Sequence, residues 1–214
     1  MKLKHYLFFA AICIISHHAL AADSASNRDS IFFIEMSPFG LGKEIRAPFP
    51  FTIGINPNQN LSAGVQIGSV NSDYQQGDLD EETSYSNVGI VVRYFAYDIF
   101  NIIAAVHQRE WKGNIIERKE PDIYAEADLK ASSSVATVGI GNQWVSDFGF
   151  TWGFDWFVSS IAISSSYSIS NINNQGFTSG ELQQLKDKAK RTADIVNEVS
   201  STPAMLILNI GWYF

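Results

Sequence analysis

The chain of 214 residues carries a formal net charge of -7, and its sequence pI is about 5.0. An acidic chain lacks the basic surface that nucleic-acid phosphates require, so we expect no nucleic acid among its partners. Hydrophobic residues make up 46% of the sequence. After residue 22, however, no stretch approaches the roughly 18 consecutive apolar residues of a membrane-spanning helix.

The start of the chain has the pattern of a secretory signal peptide. Lys2 and Lys4 form a short basic region, residues 7–15 are an unbroken apolar run, and residues 19–21 (Ala-Leu-Ala) have the small-x-small pattern of a cleavage site. We therefore predict a signal peptide over residues 1–21 and a single domain over residues 22–214.

Removal of this segment leaves little metal-binding chemistry. Cys13, the one cysteine of the chain, lies within the signal peptide, and His107 is the one histidine after residue 18. Zinc sites normally draw on several His or Cys ligands. We therefore predict no metal site and no cofactor.

From residue 31 onward, apolar side chains recur at every second position, which is the period of a β-strand with one apolar face. Turn signals divide this pattern into eight predicted antiparallel strands, roughly 31–39, 48–56, 60–72, 84–97, 99–114, 123–146, 149–168 and 203–214. The alternation assigns Val88, Ile90, Val92, Val158, Ala204 and Leu206 to the apolar face, and Arg93, Asp155, Ser159 and Met205 to the opposite face.

The predicted connections alternate in length. Short turns are expected at residues 56–58, 97–98 and 146–147, and long polar connections at residues 40–48, 72–83, 114–122 and 168–202. Both chain ends then fall on the short-turn side. Prolines 38, 48 and 50 interrupt the first hairpin, and a change of apolar parity predicts a bulge near residues 132–134.

One segment has helical rather than strand periodicity. Apolar residues recur every three or four positions over residues 179–200, which predicts an amphipathic helix. Thr178 and Glu181 match a capping box at its start. Three placements of this helix stay open, namely across the mouth of a barrel, on a membrane surface, or against a partner.

The chain ends on "NIGWYF", with Phe last and apolar residues alternating before it. This end resembles the assembly signal of outer-membrane barrel proteins. With the signal peptide and the eight alternating strands, the chain resembles the superfamily of small barrels that includes outer-membrane proteins A, X and W. The resemblance implies an all-β fold, an eight-stranded antiparallel transmembrane β-barrel with one amphipathic helix in the last external loop. It also implies a Gram-negative outer membrane, both termini in the periplasm, and Trp212, Tyr213 and Phe214 as a signal read by the barrel-assembly machinery.

Inside such a barrel, charged side chains must be paired or functional. Glu35, Arg93 and Asp155 all point inward by parity and lie at similar depth, about four to six residues up their strands. We predict a lumen ion network, which serves as a structural plug, a gate or selectivity ring, or an acid/base pair. His107 and Arg109 are predicted to line the upper lumen. His107 is the one possible general base, and barrel-borne lipid A acylhydrolases use a His with a Ser, but their motif, with His and Ser two apart and Asn next, is absent after His107. Ser159, on another strand, is the serine that parity turns inward.

The remaining candidate site is acidic. Asp78, Asp80, Glu81 and Glu82 cluster in the predicted loop 72–83, without the twelve-residue pattern of a calcium loop. The alternatives are a solvated external loop and divalent bridging to lipopolysaccharide phosphates. We expect a non-enzymatic protein with a structural or loop-mediated binding role, in contact with outer-membrane lipid and lipopolysaccharide. An external partner would bind through the loops or the helix. The alternatives are a narrow channel for small or hydrophobic solutes and, third, a lipid-modifying enzyme.

Overall fold

The computed structural model describes residues 24–42, 50–76, 79–120, 123–199 and 203–214, in part by backbone alone. A short helix α1 (Ser24–Asn27) is followed by eight antiparallel strands that form a closed barrel in sequence order, with a second helix α2 (Ser179–Val199) before the last strand. The strands are β1 (Phe32–Gly42), β2 (Phe51–Asn58), β3 (Leu61–Gln76), β4 (Leu79–Phe95), β5 (Phe100–Glu120), β6 (Ile123–Val145), β7 (Phe150–Gln175) and β8 (Ala204–Tyr213). The predicted barrel class and the helix before its last strand are confirmed.

The alternating pattern of the sequence separates the two surfaces of the barrel. Inward residues of one parity are buried, whereas the outward residues of the other parity are apolar and exposed. We call this outward surface the apolar belt; its members include Ile53, Ile55, Val65, Ile67, Val88, Ile90, Ile102, Val106, Val138, Ile140, Phe157, Ile161 and Ile163. Among the described residues, no helix combines the length and the apolar character needed to cross a membrane.

The barrel closes between its first and last strands. Phe32 and Phe214 exchange two backbone hydrogen bonds, with N···O distances of 3.0 and 2.9 Å. The turns at residues 59–60, 96–99 and 146–149 lie at this same end, which we call the short-turn end; the opposite end is the hairpin end. The first short turn was predicted at residues 56–58 and that position is wrong, because β2 continues through Pro57 to Asn58.

The hairpin end is formed by strands rather than by the long polar loops expected from the sequence. β3 and β4 remain paired out to Gln76 and Leu79, and β5 and β6 out to Glu120 and Ile123. The predicted loops 72–83 and 114–122 are therefore wrong in extent. Antiparallel pairing continues through these polar segments, so polar side chains alone do not end a strand.

A first irregularity reverses the direction of the side chains along β7. Gly141 pairs with Asp155 while Ile140 pairs with Phe157, so Trp156 is an extra residue in β7. As a result Val158 turns inward and is buried, contrary to the sequence prediction, and Ser160 rather than Ser159 faces the lumen.

A similar change occurs near the start of β8. Leu206 has a positive φ of 51°, and its departure from extended geometry lets Ala204 and Met205 exchange faces. Ala204 is buried and Met205 is 52% exposed, so the predicted orientation of both residues is wrong.

Helix α2 covers the inner wall at the hairpin end. Its residues Leu185, Ala189 and Ala193 are buried against the inward side chains Ile115, Ala125, Ala127, Leu129 and Ala131 of β5 and β6. The outer part of β6 is apolar on its inner face because a helix covers it. The bulge predicted in β6 near residues 132–134 is therefore wrong; the pairing with β5 is continuous there, and the extra residue at this level is Ile163 of β7.

The start of α2 has the predicted capping box. Glu181 Oε2 accepts hydrogen bonds from the Thr178 backbone N and hydroxyl, both at 2.8 Å. In return, the backbone N of Glu181 donates to Thr178 Oγ1 at 3.4 Å. These contacts satisfy groups that the first turn of a helix leaves without partners.

Among the described residues, the outer half of β7 has strand partners on one side only. Val158 pairs with Ala204, the first residue of β8, and beyond this point the described strand partners of β7 all belong to β6. Most of β7 from Ile161 to Asn173 is exposed. The outer part of β3 is similar among the residues described, because β2 pairs with it only as far as Ile67 and β4 alone pairs with it from there to Gln76.

Candidate functional site

The barrel lumen holds three ionisable side chains in direct contact. Arg93 forms a fork with Asp155, with Nη1 to Oδ1 at 2.6 Å and Nη2 to Oδ2 at 3.1 Å. Its Nη2 also donates to Glu35 Oε1 at 3.0 Å. Bidentate pairing of a guanidinium with a carboxylate is among the strongest polar contacts in proteins. The structure thus brings together the three residues that parity and depth selected.

Neutral side chains form further hydrogen bonds with this network. Gln143 Nε2 donates to Glu35 Oε2 at 2.7 Å, and Asn101 Oδ1 accepts from Arg93 Nη1 at 3.3 Å. The side chains of Glu35, Arg93 and Asp155 are 3–8% exposed. Paired, hydrogen-bonded charges can be buried at acceptable cost. At this level the lumen is filled by side chains, and sequence reasoning missed both amides.

A second layer fills the lumen nearer the short-turn end. Arg28, directly after α1, is 1% exposed, and its guanidinium carbon lies 3.8 Å from the ring centroid of Phe95. Its Nε donates to the Gln59 carbonyl at 2.9 Å, and its Nη2 donates to the Asp98 carbonyl. These contacts tie the segment before β1 to two short turns, so that this segment lies across the end of the barrel.

Sequence reasoning did not detect Arg28. Arg28 precedes the first strand, so strand parity does not predict the direction of its side chain. Its partners are two backbone carbonyls and an aromatic ring, which lie 31 to 70 residues away in the sequence. An inward Phe95 at the end of β4 is the one local signal, since a cation over an aromatic face is a favourable arrangement.

The upper lumen contains His107 and Arg109, both buried on the inner face of β5. His107 Nε2 lies 3.0 Å from Gln66 Oε1, and Gln66 Nε2 donates to Thr52 Oγ1 at 3.3 Å. Because the Gln66 amide nitrogen is turned to Thr52, its oxygen accepts from His107 Nε2. The imidazole ring packs across Gly89 on β4, where a Cβ atom would collide with it.

Among the described residues, no hydroxyl or carboxylate group is hydrogen-bonded to His107. The one hydrogen bond that the structure gives His107 goes to an amide, not to a hydroxyl or a carboxylate. Ser159, the serine considered from sequence, faces outward, and the inward Ser160 is 3.0 Å from Thr137 Oγ1. No group of three or more His, Cys, Asp or Glu side chains that could hold a metal ion occurs in the described part of the chain.

A cavity of about 110 Å³ lies between the ion network and the hairpin end. Its floor includes Arg93 and Asp155, one wall carries His107 and Arg109, and another carries the apolar cluster Val91, Ile103 and Ala105. A cavity of about 150 Å³ suffices for benzene. This space therefore fits only a few heavy atoms, and it ends at the ion network below.

The other residues selected from sequence lie apart from this lumen site. Asp78 lies outside the described residues, and Asp80, Glu81 and Glu82 are paired residues of β4, known by backbone only. Trp212 and Phe214 are outward and exposed at the short-turn end. Tyr213 is buried inward, with its hydroxyl 3.4 Å from Gln143 Oε1 and 3.5 Å from Ser62 Oγ.

The sequence matches no protein-family model and no curated protein. Among solved structures, CarO of Acinetobacter baumannii has a TM-score of 0.46 at 7% identity, over 86% of this chain and 98% of its own. For Acinetobacter baumannii CarO2, the TM-score is 0.43 at 9% identity, and the match covers 87% of this chain and 100% of CarO2. For a major outer membrane protein of Thermus thermophilus, the TM-score is 0.45 at 13% identity, and the match covers 87% of this chain and 100% of that protein. Each TM-score is below 0.5, so these likenesses assign neither a family nor a function, and membership of the A/X/W superfamily is not confirmed.

Proposed function

We propose that this chain is a non-enzymatic β-barrel of a Gram-negative outer membrane, closed to ions, with a structural role or a binding role at its hairpin end. The observation that carries the proposal is the combination of an exposed apolar belt outside with a filled lumen inside. A water-soluble barrel would have the opposite distribution, since soluble proteins rarely expose large contiguous apolar patches. In a bilayer, the same belt contacts lipid.

This proposal also assigns each end of the barrel to one side of the membrane. Bacterial barrels have short periplasmic turns and longer external loops, so the short-turn end faces the periplasm and the hairpin end, with α2, faces outward. Trp212, Tyr213 and Phe214 would be read by the barrel-assembly machinery during insertion. The acidic residues around Asp80 would lie at the outer tip of the β3–β4 hairpin, where divalent cations could link them to lipopolysaccharide phosphates.

The ion network supports a plug rather than a gate. All four contacts to Arg93 lie within hydrogen-bond range, and both carboxylates are engaged. Opening the lumen at this level would separate buried charges, for which removal of one partner typically costs about 3–5 kcal/mol. The layer formed by Arg28 and Phe95 adds a second closure below it.

Conductance in a planar lipid bilayer tests the proposal. We expect no current steps from the parent protein and measurable steps from an Arg28→Ala/Arg93→Ala double variant, which removes a side chain from each layer. Glu110→Ala, on the outer surface, is the matched control and stays silent. Stable conductance of the parent would replace this proposal with the channel alternative. In addition, lipid A extracted from cells with and without the protein should have the same mass; a mass change would identify an enzyme.

One observation favours a second candidate function. The cavity above the ion network combines an apolar wall with polar groups, as small-molecule sites commonly do. The alternative function is therefore binding or uptake of small, partly apolar solutes that enter from the hairpin end. With the ion network closed, the cavity would be a binding site; with the network displaced, the lumen would be a channel.

A further inference from the structure

Two lysines lie opposite each other on the outer surface of the barrel, above the apolar belt. Lys112 of β5 and Lys130 of β6 are direct cross-strand partners. Like charges in this position destabilise a sheet. Glu110 lies between them, with Oε1 3.0 Å from Lys112 Nζ and Oε2 2.7 Å from Lys130 Nζ. One carboxylate thus serves two ammonium groups, and the cluster keeps one excess positive charge.

The cluster is accessible from outside. The side chains of Lys112 and Lys130 are 59% and 47% exposed, and Glu110 is 28% exposed. Each ammonium group has three N–H donors, and one of them suffices for Glu110. Within the described part of the chain, Glu110 is the ion-pair partner of both lysines, so each ammonium group keeps donors for a ligand, on two stems held side by side by paired strands.

The height of the cluster on the barrel is specific. An apolar band about 25 Å tall, crossed by strands that rise about 3.4 Å per residue and tilt by about 40°, occupies roughly ten residues of a strand. On β5 such a band begins at Phe100 and ends near Glu110. Lys112 and Lys130 lie just beyond it, at the depth of lipid headgroups.

The surface directly below the cluster is apolar. Val106 of β5 is 55% exposed and Ile161 and Ile163 of β7 are 68% and 63% exposed. Between the two zones, Ser134 and Gln108 form an outward hydrogen bond of 2.7 Å. The same three strands therefore present an apolar strip for acyl chains, a short polar step, and then paired cations.

We propose that Lys112 and Lys130, with the apolar strip below them, form a binding site for a phosphate-bearing glycolipid of the outer leaflet, with the acyl chains on the strip and a phosphate between the two ammonium groups. The proposal rests on the outer-membrane location and the orientation proposed above. Glu110 acts as an internal counter-ion that keeps the lysines positioned and limits the affinity.

The test measures lipid binding to the full-length barrel in detergent by native mass spectrometry. The probes are bisphosphorylated lipid A, the same lipid A after enzymatic removal of both phosphates, and inorganic phosphate. Since a lysine near a charged lipid surface contributes about fivefold in affinity, Lys112→Gln/Lys130→Gln should bind bisphosphorylated lipid A roughly 25-fold more weakly. Glu110→Gln should bind it about fivefold more tightly. Lys186→Gln/Lys190→Gln, on the exposed side of α2, is the matched control and should bind as the parent does.

The parent should prefer bisphosphorylated over dephosphorylated lipid A, and inorganic phosphate should compete only weakly, because it lacks acyl chains. Equal binding of the two lipids, or unchanged binding by the Lys112/Lys130 variant, overturns the site. Strong competition by inorganic phosphate would assign the cluster to a free anion instead. Failure here leaves the silent conductance of the parent unaffected, so the two proposals fail separately.

Discussion

Replacing Arg93 with alanine should destabilise the barrel far more than the loss of one side chain suggests. The substitution removes the fork to Asp155 and the contact to Glu35, whose N···O distances are 2.6, 3.1 and 3.0 Å. Glu35 keeps its hydrogen bond from Gln143 at 2.7 Å, whereas Asp155 loses both of its contacts to Arg93. Two buried carboxylates then face each other without a cation, and we expect a loss of about 3–5 kcal/mol in the free energy of unfolding.

Urea-induced unfolding from lipid vesicles, followed by tryptophan fluorescence, measures this change. The matched control is Lys130→Ala, which breaks an ion pair at the surface and should cost at most about 1 kcal/mol. A triple variant, Glu35→Gln/Arg93→Met/Asp155→Asn, removes all three charges and should recover most of the lost stability, because replacing a whole buried pair is often nearly neutral. If Arg93→Ala stays within about 1 kcal/mol of the parent, or the triple variant is no more stable than Arg93→Ala, the network does not determine the stability of the barrel.

Three further substitutions test other levels of the structure. Ile90→Arg, in the middle of the apolar belt, should lower the free energy of unfolding by about 2–4 kcal/mol. Ser86→Arg, on the same face but above the belt, should lower it by about 0–1 kcal/mol. Equal losses for the two variants in urea unfolding would contradict a bilayer at this depth. Gly89→Ala places a Cβ against the His107 ring and the Val106 carbonyl and should cost about 1–3 kcal/mol, while Gly180→Ala, with open space around it, should not destabilise. Ala189→Glu should detach α2 and expose it to trypsin added to intact cells, whereas Ile195→Glu, on the exposed side, should not; cleavage of neither variant, or of both equally, would argue against the described docking or the external placement.

Strand parity accounts for most of what the sequence could predict. Side chains of a regular strand alternate between its two faces. Counting from the short turns was therefore enough to predict that Glu35, Arg93 and Asp155 all point into the lumen. The same counting failed past each irregularity. One extra residue at Trp156 was enough to move Val158 inward and Ser159 outward, and no local property of these residues announces that insertion.

Contacts between distant segments were out of reach for a different reason. The small residues of outer β6, among them Ala125 and Ala131, have the parity of the lumen, and only the docking of α2 explains their burial. Arg28 likewise acquires its role from turns that the chain forms much later. Periodicity describes each element alone, whereas these positions depend on which elements meet.

The part of β7 that follows Asp155 is long and uncharged, and this affects the chain before the barrel has formed. From Trp156 to Gly180 the chain contains no acidic or basic side chain, and Ile161, Ile163, Ile169 and Ile172 alternate among serines and asparagines. Segments with high β-propensity and low charge self-associate when exposed. An unfolded chain would expose this segment throughout, with no charge to repel another copy. Its serines interrupt the apolar runs without preventing strand formation, and this segment is where aggregation of the unfolded protein would begin.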